Sequence, residues 1–255
     1  MNVLELARVE KRFGNLTAVK GLDLAVRSGA IAGVIGPNGA GKSTVFNVIT
    51  GIYRPDAGEV RFEGERIDGR PTYRIARRGI ARTFQNLRLF GHLDAIENVL
   101  IGEHGQLHAT ALGSLLHVPR ERREEREARE RAAELLAFVG LQNIGMQFAR
   151  NLSYGSQRRL EIARALAGNP RLLLLDEPAA GMNPTEKSSL IDLIYAIRAR
   201  GITVMLIEHD MGLVMRLCEW ITVLDYGEKI AQGNPADIRA NERVIEAYLG
   251  VGASP

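Results

Sequence analysis

At 255 residues, 45% of them hydrophobic, the chain is long and apolar enough for one large α/β domain, with or without an inserted subdomain. No apolar run approaches the roughly 18 residues of a membrane span, and the N-terminus lacks the pattern of an export signal. The 33 basic and 30 acidic residues give a net charge of +3, too small to indicate nucleic-acid binding, and the single cysteine, Cys218, fits a reducing cytoplasm.

The chain begins with two predicted strands, residues 3–9 and 22–27, with a turn at 13–15 between them. Phe13 lies in this glycine-containing turn, shortly before the segment described next. Two interpretations are open for its ring: a side chain of the core, or an aromatic platform for an adenine ring.

The next segment fits the phosphate-binding loop pattern G-x-x-x-x-G-K-[ST]. It follows a short β-branched run, 31–35, and precedes a helical pattern that Gly51 can end. Such a loop turns backbone N–H groups towards an anion, Lys42 offers a charge to the β- and γ-phosphates, and Ser43 offers an oxygen to Mg²⁺. The residues expected to bind a nucleoside triphosphate here are Gly36, Asn38, Gly39, Ala40, Gly41, Lys42, Ser43 and Thr44.

Three further elements are predicted after the loop helix. Residues 58–67 alternate polar and apolar around Glu63-Gly64, which predicts a hairpin. Residues 80–84 predict a short strand that ends at Gln85, and Asp94 is placed to cap a helix.

The segment 102–118 predicts no clear element, and Pro119 then suits the first position of a helix rich in arginine and glutamate. Because the charges interleave, with expected i,i+4 pairs Glu125–Arg129 and Glu127–Arg131, we interpret this block as a solvated helix face and not a nucleic-acid site.

Ser153 and Gly155 precede or begin another helical pattern, 158–166. A helix N-terminus is a second anion-binding position in the same chain. By itself the signal is weak, because a serine before a helix is usually only a cap.

Four leucines, 172–175, predict a strand buried on both faces of a parallel sheet, followed by two carboxylates. Ligands of open α/β sheets bind at the carboxyl ends of the strands. Asp176 therefore suits Mg²⁺, and Glu177 can face the water that attacks the γ-phosphate. Another buried strand, 202–207, ends close to His209.

Taken together, these segments resemble the ATP-binding subunit of ABC transporters over essentially the whole chain. Gly36–Thr44 is similar to Walker A, Gln85 to the Q-loop glutamine, and residues 152–157 to the signature motif. Residues 172–176 are similar to Walker B, Glu177 to the catalytic glutamate, 180–183 to the D-loop, and His209 to the switch histidine.

The resemblance implies an α/β fold: a RecA-like P-loop core with an antiparallel β arm, and an inserted helical subdomain. We place the core and arm at 1–88 and 164–255, and the helical signature subdomain at 89–163. It also implies that two subunits bind two ATP molecules between them, each between Walker A of one and Ser153 and Gly155 of the other.

A narrower resemblance is to the ATPases of branched-chain amino-acid importers. It rests on residues 82–90, 176–184 and 207–211, with the long 102–133 segment and the end, 247–250. It implies transmembrane permease partners, a second ATP-binding subunit, indirect action with a periplasmic binding protein, no nucleic acid, and a peripheral position on the inner face of the cell membrane.

The mechanism implied by the resemblance uses ATP and Mg²⁺. Ser43 and Asp176 would hold the metal, and Gln85 would contact the metal or the water and report to the membrane partner. Glu177 would orient and deprotonate water, and His209 would hold the γ-phosphate side. Two departures stand out: the usual L-S-G-G-Q is Leu152-Ser153-Tyr154-Gly155-Ser156, and the D-loop aspartate is Asn183.

Three other interpretations stay open. An ATPase of lipopolysaccharide export has a similar sequence type, although residues 82–90 and 102–133 argue against it. A soluble ABC ATPase acting on DNA or ribosomes usually has a coiled-coil insertion or a second cassette, and neither is present. A P-loop kinase is disfavoured by the signature and by Glu177-Pro178.

Overall fold

The computed structural model describes residues 1–103 and 119–249. Most of the 102–118 segment, and Gly250 at the end of the 247–250 match, lie outside these residues. The chain divides into two compact units, Met1–Ile75 with Arg171–Pro255, and Ala76–Pro170. Among the described helices, none combines the length and the apolar character needed to cross a bilayer.

The strands are short in the parallel part of the fold and long in the first hairpin. They are β1 (Asn2–Phe13), β2 (Leu16–Arg27), β3 (Ile31–Ile35), β4 (Ala57–Phe62), β5 (Glu65–Arg66), β6 (Ile80–Arg82), β7 (Leu172–Asp176), β8 (Thr203–Ile207), β9 (Trp220–Asp225) and β10 (Glu228–Gly233).

The helices lie between and after these strands, and three of them follow one another after β6. They are α1 (Lys42–Ile49), α2 (Thr72–Arg77), α3 (Ala95–Glu103), α4 (Pro119–Phe138), α5 (Tyr154–Ala167), α6 (Pro184–Ala199), α7 (Met211–Leu217), α8 (Pro235–Arg239) and α9 (Glu242–Leu249), with a 3-10 turn at Ala149–Asn151.

In the first unit, β10, β9, β3, β8 and β7 lie side by side in that order. Strand β3 pairs in parallel with β8 and β9, and β8 pairs in parallel with β7. Every residue of β3, β7 and β8 is buried, as expected for continuous apolar runs covered on both faces. The register sets Asp176 beside Ile207, and Ile207 beside Val34, so the three following loops leave from the same edge.

The antiparallel arm of the first unit has the strand order β2, β1, β4, β5. Its first two strands are longer than the sequence predicts, because register shifts along β1 and a left-handed Arg8 (φ 47°) let the pairing continue through polar residues. The hairpin predicted at 58–67 is confirmed, and Glu63 (φ 50°) and Gly64 (φ 80°) form its two-residue turn.

In the second unit, α3 packs against α4 and α5. The predicted cap of α3 is confirmed: Asp94 Oδ1 accepts from the N–H of Glu97 at 2.7 Å, and Glu97 Oε2 accepts from the N–H of Asp94 at 2.9 Å. The fully buried Asn98 bonds both backbone groups of Phe90, which ties the preceding loop to this helix.

Two details of the second unit differ from the sequence-based expectation. Glu125 pairs with Arg129 as expected, but Glu127 pairs with Arg123, and Arg131 reaches Glu103 on α3. The predicted pair Glu127–Arg131 is therefore wrong, because a contact between two helices draws Arg131 away. The predicted strand at 80–84 ends at Arg82, so Gln85 lies three residues beyond it.

Candidate functional site

The phosphate-loop segment occupies the turn between β3 and α1. Gly36, Gly39 and Gly41 all have positive φ angles, of 150°, 82° and 99°. A Cβ at Gly36 would lie 2.0 Å from the carbonyl oxygen of Leu224, and one at Gly41 would lie 2.4 Å from that of Ala18. A Cβ at Gly39 would meet nothing within 4 Å, so this position faces open space. Neighbouring backbone thus requires glycine at 36 and 41, and the positive φ alone favours it at 39.

Lys42 is the first residue of α1 and is only 8% exposed. Its Nζ donates to the carbonyl oxygens of Gly36 at 2.7 Å and Pro37 at 2.8 Å, which holds the ammonium over the loop. Burial lowers the pKa of Lys42, while the charges of Glu177 and Asp176 act in the opposite direction. The cation of the loop therefore lies within electrostatic range of Asp176, the last residue of β7, and of Glu177.

The two carboxylates differ in exposure. Asp176 ends β7 and is 3% exposed, whereas 20% of the Glu177 side chain is accessible. Glu177 adopts a left-handed backbone (φ 47°), and its N–H donates to the carbonyl of Ile207 at 2.9 Å. A non-glycine residue in this conformation costs of order 1–3 kcal/mol and persists only where its surroundings impose it. The backbone of this turn is thus anchored to the end of β8.

His209 lies next to the same carboxylate. Its Nδ1 is 3.7 Å from Oε2 of Glu177 and 3.8 Å from Oε2 of Glu208, and 63% of its side chain is exposed. The structure thus brings Lys42, Asp176, Glu177 and His209 together in the first unit, at the edge where β3, β7 and β8 end.

Glu208 is a residue of this site that the sequence reasoning missed. Its side chain is fully buried, and its Oε1 accepts from the N–H of Ala179 at 2.8 Å. Its Oε2 accepts from the N–H groups of His209 at 3.1 Å and Asp210 at 3.4 Å. Burial raises the pKa of Glu208, and these N–H donors act against that rise. The sequence signal that could have identified Glu208 is its position as an acidic residue directly after a buried strand, beside the expected switch histidine.

Two polar side chains cap the helices that follow β7 and β8. Asn183 caps α6 in a reciprocal capping box with Glu186. Asparagine and aspartate are equally good at this cap position, so Asn183 keeps the capping role that an aspartate would have. Asp210 caps α7 and pairs with Lys187 of α6 at 2.5 Å, and this partner lowers the pKa of Asp210.

Phe13 ends β1, next to the turn, and is 42% exposed. Its ring makes an edge contact with Tyr53, with centroids 5.1 Å apart, and Nζ of Lys11 lies 5.4 Å from its centroid. The ring is therefore a surface aromatic supported by two neighbours, which is compatible with a stacking role.

The remaining predicted residues, Gln85, Ser153 and Gly155, belong to the second unit. Ser153 caps α5: its Oγ accepts from the N–H of Ser156 at 3.3 Å and donates to Ser156 Oγ at 3.0 Å. The first turn of α5 carries no acidic residue, which keeps its N-terminus attractive to anions. The side chains of α5 also bind the backbone around Gln85, through Arg158 and Glu161, and sequence reasoning missed both residues.

The donor set of the first unit suits Mg²⁺. Ser43 is exposed directly after Lys42, and Asp176 contributes a carboxylate near that lysine. Among the described residues, no group of three or more histidine, cysteine or acidic side chains could hold a metal on its own. Mg²⁺ usually takes one or two protein oxygens and completes its shell with phosphates and water, so this sparse set fits.

Comparison with known proteins gives a consistent result. The family model described as ABC transporter matches residues 19–180, and that of the branched-chain amino acid ATP-binding cassette transporter matches 228–254. The chain is 49% identical over 249 residues to the high-affinity branched-chain amino acid transport ATP-binding protein BraF of Pseudomonas aeruginosa, covering 97% of this chain and 98% of that one. It is 47% identical to the corresponding protein LivG of Escherichia coli, covering 94% of each chain.

Solved structures agree with these matches. An ATP-binding cassette of an ABC transporter in its ADP conformation superposes with a TM-score of 0.86 at 33% identity, covering 98% of this chain and 99% of that one. A dimeric ATP-binding cassette in a post-hydrolysis state, bound to ADP and phosphate, has a TM-score of 0.78 at 28% identity, covering 91% of this chain and 98% of that one.

Proposed function

Because this chain belongs to the ABC transporter family, as one of its ATP-hydrolysing cassettes, we propose that it powers the import of branched-chain amino acids through partner permeases. The assignment of the solute class rests on the C-terminal match at 228–254. It is supported by relatives that are named for branched-chain amino acid transport and align over 94–98% of both chains. The RecA-like α/β fold agrees with the cassette structures.

The proposed ATP site follows from the first unit. Backbone N–H groups of 36–44 surround the phosphates, and the ammonium of Lys42, now held by two loop carbonyls, exchanges those bonds for phosphate oxygens. Phe13 stacks on the adenine. Ser43 and Asp176 would hold Mg²⁺. The further role of Gln85 as a contact of the metal rests on the family resemblance. The metal, when bound, neutralises charge on the phosphate oxygens.

Glu177 is the proposed general base. Its carboxylate is the more accessible of the two acids after β7, so it can accept a hydrogen bond from the attacking water and orient it. His209 lies within ion-pair range of that carboxylate and is exposed enough to donate to a γ-phosphate oxygen. His209 can thus interact with the Glu177 carboxylate when no nucleotide is bound, and with the nucleotide when it is.

Two copies of a cassette are proposed to share two nucleotides. Ser153 and Gly155 begin α5, whose first turn is free of acidic residues, and this helix start suits the γ-phosphate of ATP held by a partner cassette. We propose 1–88 with 164–255 as the core and arm, and 89–163 as the signature subdomain. The same proposal places the subunit at the inner face of the cell membrane, bound to permeases and served indirectly by a periplasmic binding protein.

The solute class is tested by uptake. Deleting the gene should lower uptake of labelled leucine and isoleucine, and the wild-type gene should restore it. The variant Glu177→Gln, expressed equally, should not. Unchanged uptake of both amino acids, with a defect in another solute or in envelope lipid export, would reject the solute class and leave the ATPase assignment standing.

A further inference from the structure

The second unit contains a buried ionic cluster that the proposed chemistry does not use. Arg158, on the second turn of α5, has a side chain with no accessible surface, and Glu161, three residues later, is 1% exposed. Burial of an arginine is costly unless the protein supplies acceptors for its N–H groups. The groups that accept hydrogen bonds from Arg158 therefore identify the segment that this cluster holds in place.

The guanidinium of Arg158 binds the carbonyl groups of two consecutive residues, Phe84 and Gln85. Its Nη1 donates to the carbonyl of Phe84 at 2.6 Å, and its Nη2 donates to the carbonyl of Gln85 at 2.8 Å. Nη1 also donates to Oε2 of Glu161 at 3.2 Å, and Nη2 to the hydroxyl of Tyr154 at 2.8 Å. A planar fork that meets two consecutive carbonyls fixes the orientation of the peptide between them.

Glu161 binds N–H groups of the same segment. Its Oε1 accepts from the N–H groups of Phe84 and Arg88, each at 3.4 Å. Arg164, one turn further along α5, donates to the carbonyl of Arg88 and lies 3.8 Å from Glu161. The segment 84–88 is therefore bound through backbone groups at both of its ends, and every one of these partners projects from α5.

The contacts of Tyr154 give a structural role to the residue that departs from the usual signature. The position that commonly holds glycine carries a tyrosine whose hydroxyl is an acceptor for Arg158, and the guanidinium also lies 5.5 Å from the ring centroid. The first residue of α5, next to the cap Ser153, thus shares one guanidinium with the backbone of Gln85.

We propose that Arg158 is a positioning residue that makes the segment 84–88 and the start of α5 move as one body, so that a displacement of Gln85 is transmitted to Ser153. The inference rests on the proposed roles of Gln85 and Ser153, because only those roles make the link consequential for hydrolysis. Through this link, a contact made at Gln85 sets how the signature helix start is presented to the partner's nucleotide.

The chain offers a matched control on the next residue. Arg159 is partly buried on the same helix, and its Nη1 donates to the carbonyl of Val139 at 2.7 Å, at the end of α4. Arg158→Lys and Arg159→Lys therefore make the same chemical change at adjacent positions. A lysine keeps the charge but cannot bind two carbonyls in a fixed plane.

The first readout is amide hydrogen exchange of the full chain, followed in peptides that cover 83–90. Arg158→Lys should speed exchange there by about tenfold or more, and Arg159→Lys by less than about twofold, because exchange reports local opening. Tyr154→Phe removes one of four bonds and should give a smaller increase of about threefold, so the test survives if Arg158→Lys fails to fold. Equal exchange at 83–90 in both lysine variants, or no change in Tyr154→Phe, would overturn the proposal.

The second readout separates positioning from general stability. Arg158→Lys should lower kcat for ATP by about tenfold and leave KM within about twofold, because misplacement of a positioning element affects turnover before binding. Arg159→Lys should leave both close to wild type. A parallel loss of kcat in both variants would contradict the proposal. If wild-type protein hydrolyses no ATP, the proposed function fails, and the exchange comparison still decides this inference.

Discussion

Nδ1 of His209 lies 3.7 Å from Oε2 of Glu177, beyond hydrogen-bonding distance but within reach of a small side-chain movement. The two residues are unequally exposed, at 63% for His209 and 20% for Glu177. The imidazole therefore lies on the solvent side of the carboxylate. Besides Lys42, Glu177 therefore has an ionisable neighbour in His209, whose ring can turn towards a bound phosphate. The proposed roles of base and phosphate contact depend on this arrangement.

Glu177→Gln should bind ATP with an affinity close to wild type and lose most turnover. The amide keeps the size of the side chain but cannot accept a proton from water, and removal of a general base typically costs about 10²–10⁴-fold. Steady-state ATPase rates and a nucleotide-binding titration check this. Asp192→Asn, the same loss of charge on α6, is the control. If the ATPase rate of Glu177→Gln stays within a few-fold of wild type, Glu177 is not the general base.

Hydrolysis should need two chains, because Ser153 and the phosphate loop are proposed to face the same nucleotide from different subunits. The specific activity of purified protein should rise with its concentration. Ser153→Arg should abolish turnover, since a bulky cation replaces the small cap, while monomeric protein still binds ATP. Ser28→Arg, at another exposed serine, should change neither property. Full activity in a dilute monomer would contradict the shared site.

Glu208→Gln should lower kcat by about tenfold, because displacement of catalytic groups by about 1 Å can cost up to about 100-fold. The carboxylate accepts from Ala179 on one side and from His209 and Asp210 on the other. An amide has one acceptor oxygen, so it can hold only one of the two loops. Glu219→Gln, at an exposed carboxylate, is the matched control. An unchanged kcat in Glu208→Gln would show that the two loops need no common anchor.

The Lys187–Asp210 pair should contribute stability over a defined pH window. The pair lowers the pKa of Asp210 and raises that of Lys187, chiefly through their hydrogen bond. A lowered carboxyl pKa means that the contribution is present above about pH 4 and is lost as pH falls through the folded pKa. A raised lysine pKa means that it is lost again as pH rises beyond about 10.4.

Lys187→Met should accordingly lower the urea midpoint at neutral pH, and the difference from wild type should shrink as the pH is lowered from about 5 to about 3. Urea titrations at several pH values measure this. A difference that stays constant over that range would mean that Lys187 acts through packing and not through its charge.

Several local elements could be predicted from the sequence. The β3–loop–α1 segment, the capped helix α3, the 57–66 hairpin and the buried strand β7 are specified by residues close together in the chain. Glycine, proline and capping residues act on their immediate backbone, and apolar periodicity acts over a few turns. Such signals need no knowledge of distant neighbours. The family resemblance could also be recognised from the sequence, because its motifs are short and occur in a set order.

Only the tertiary structure decided which side chains share a partner. Arg131 leaves the expected Glu127 for Glu103, Glu208 joins two loops, and Arg158 reaches carbonyls more than 70 residues earlier in the chain. Gly36 and Gly41 are glycines because backbone from Leu224 and Ala18 approaches them. The contacts of Glu208 and Arg158 satisfy buried charges, whereas the Arg131–Glu103 pair joins two neighbouring helices through a half-exposed arginine. Desolvation makes the buried contacts obligatory, and chain proximity reveals none of these contacts.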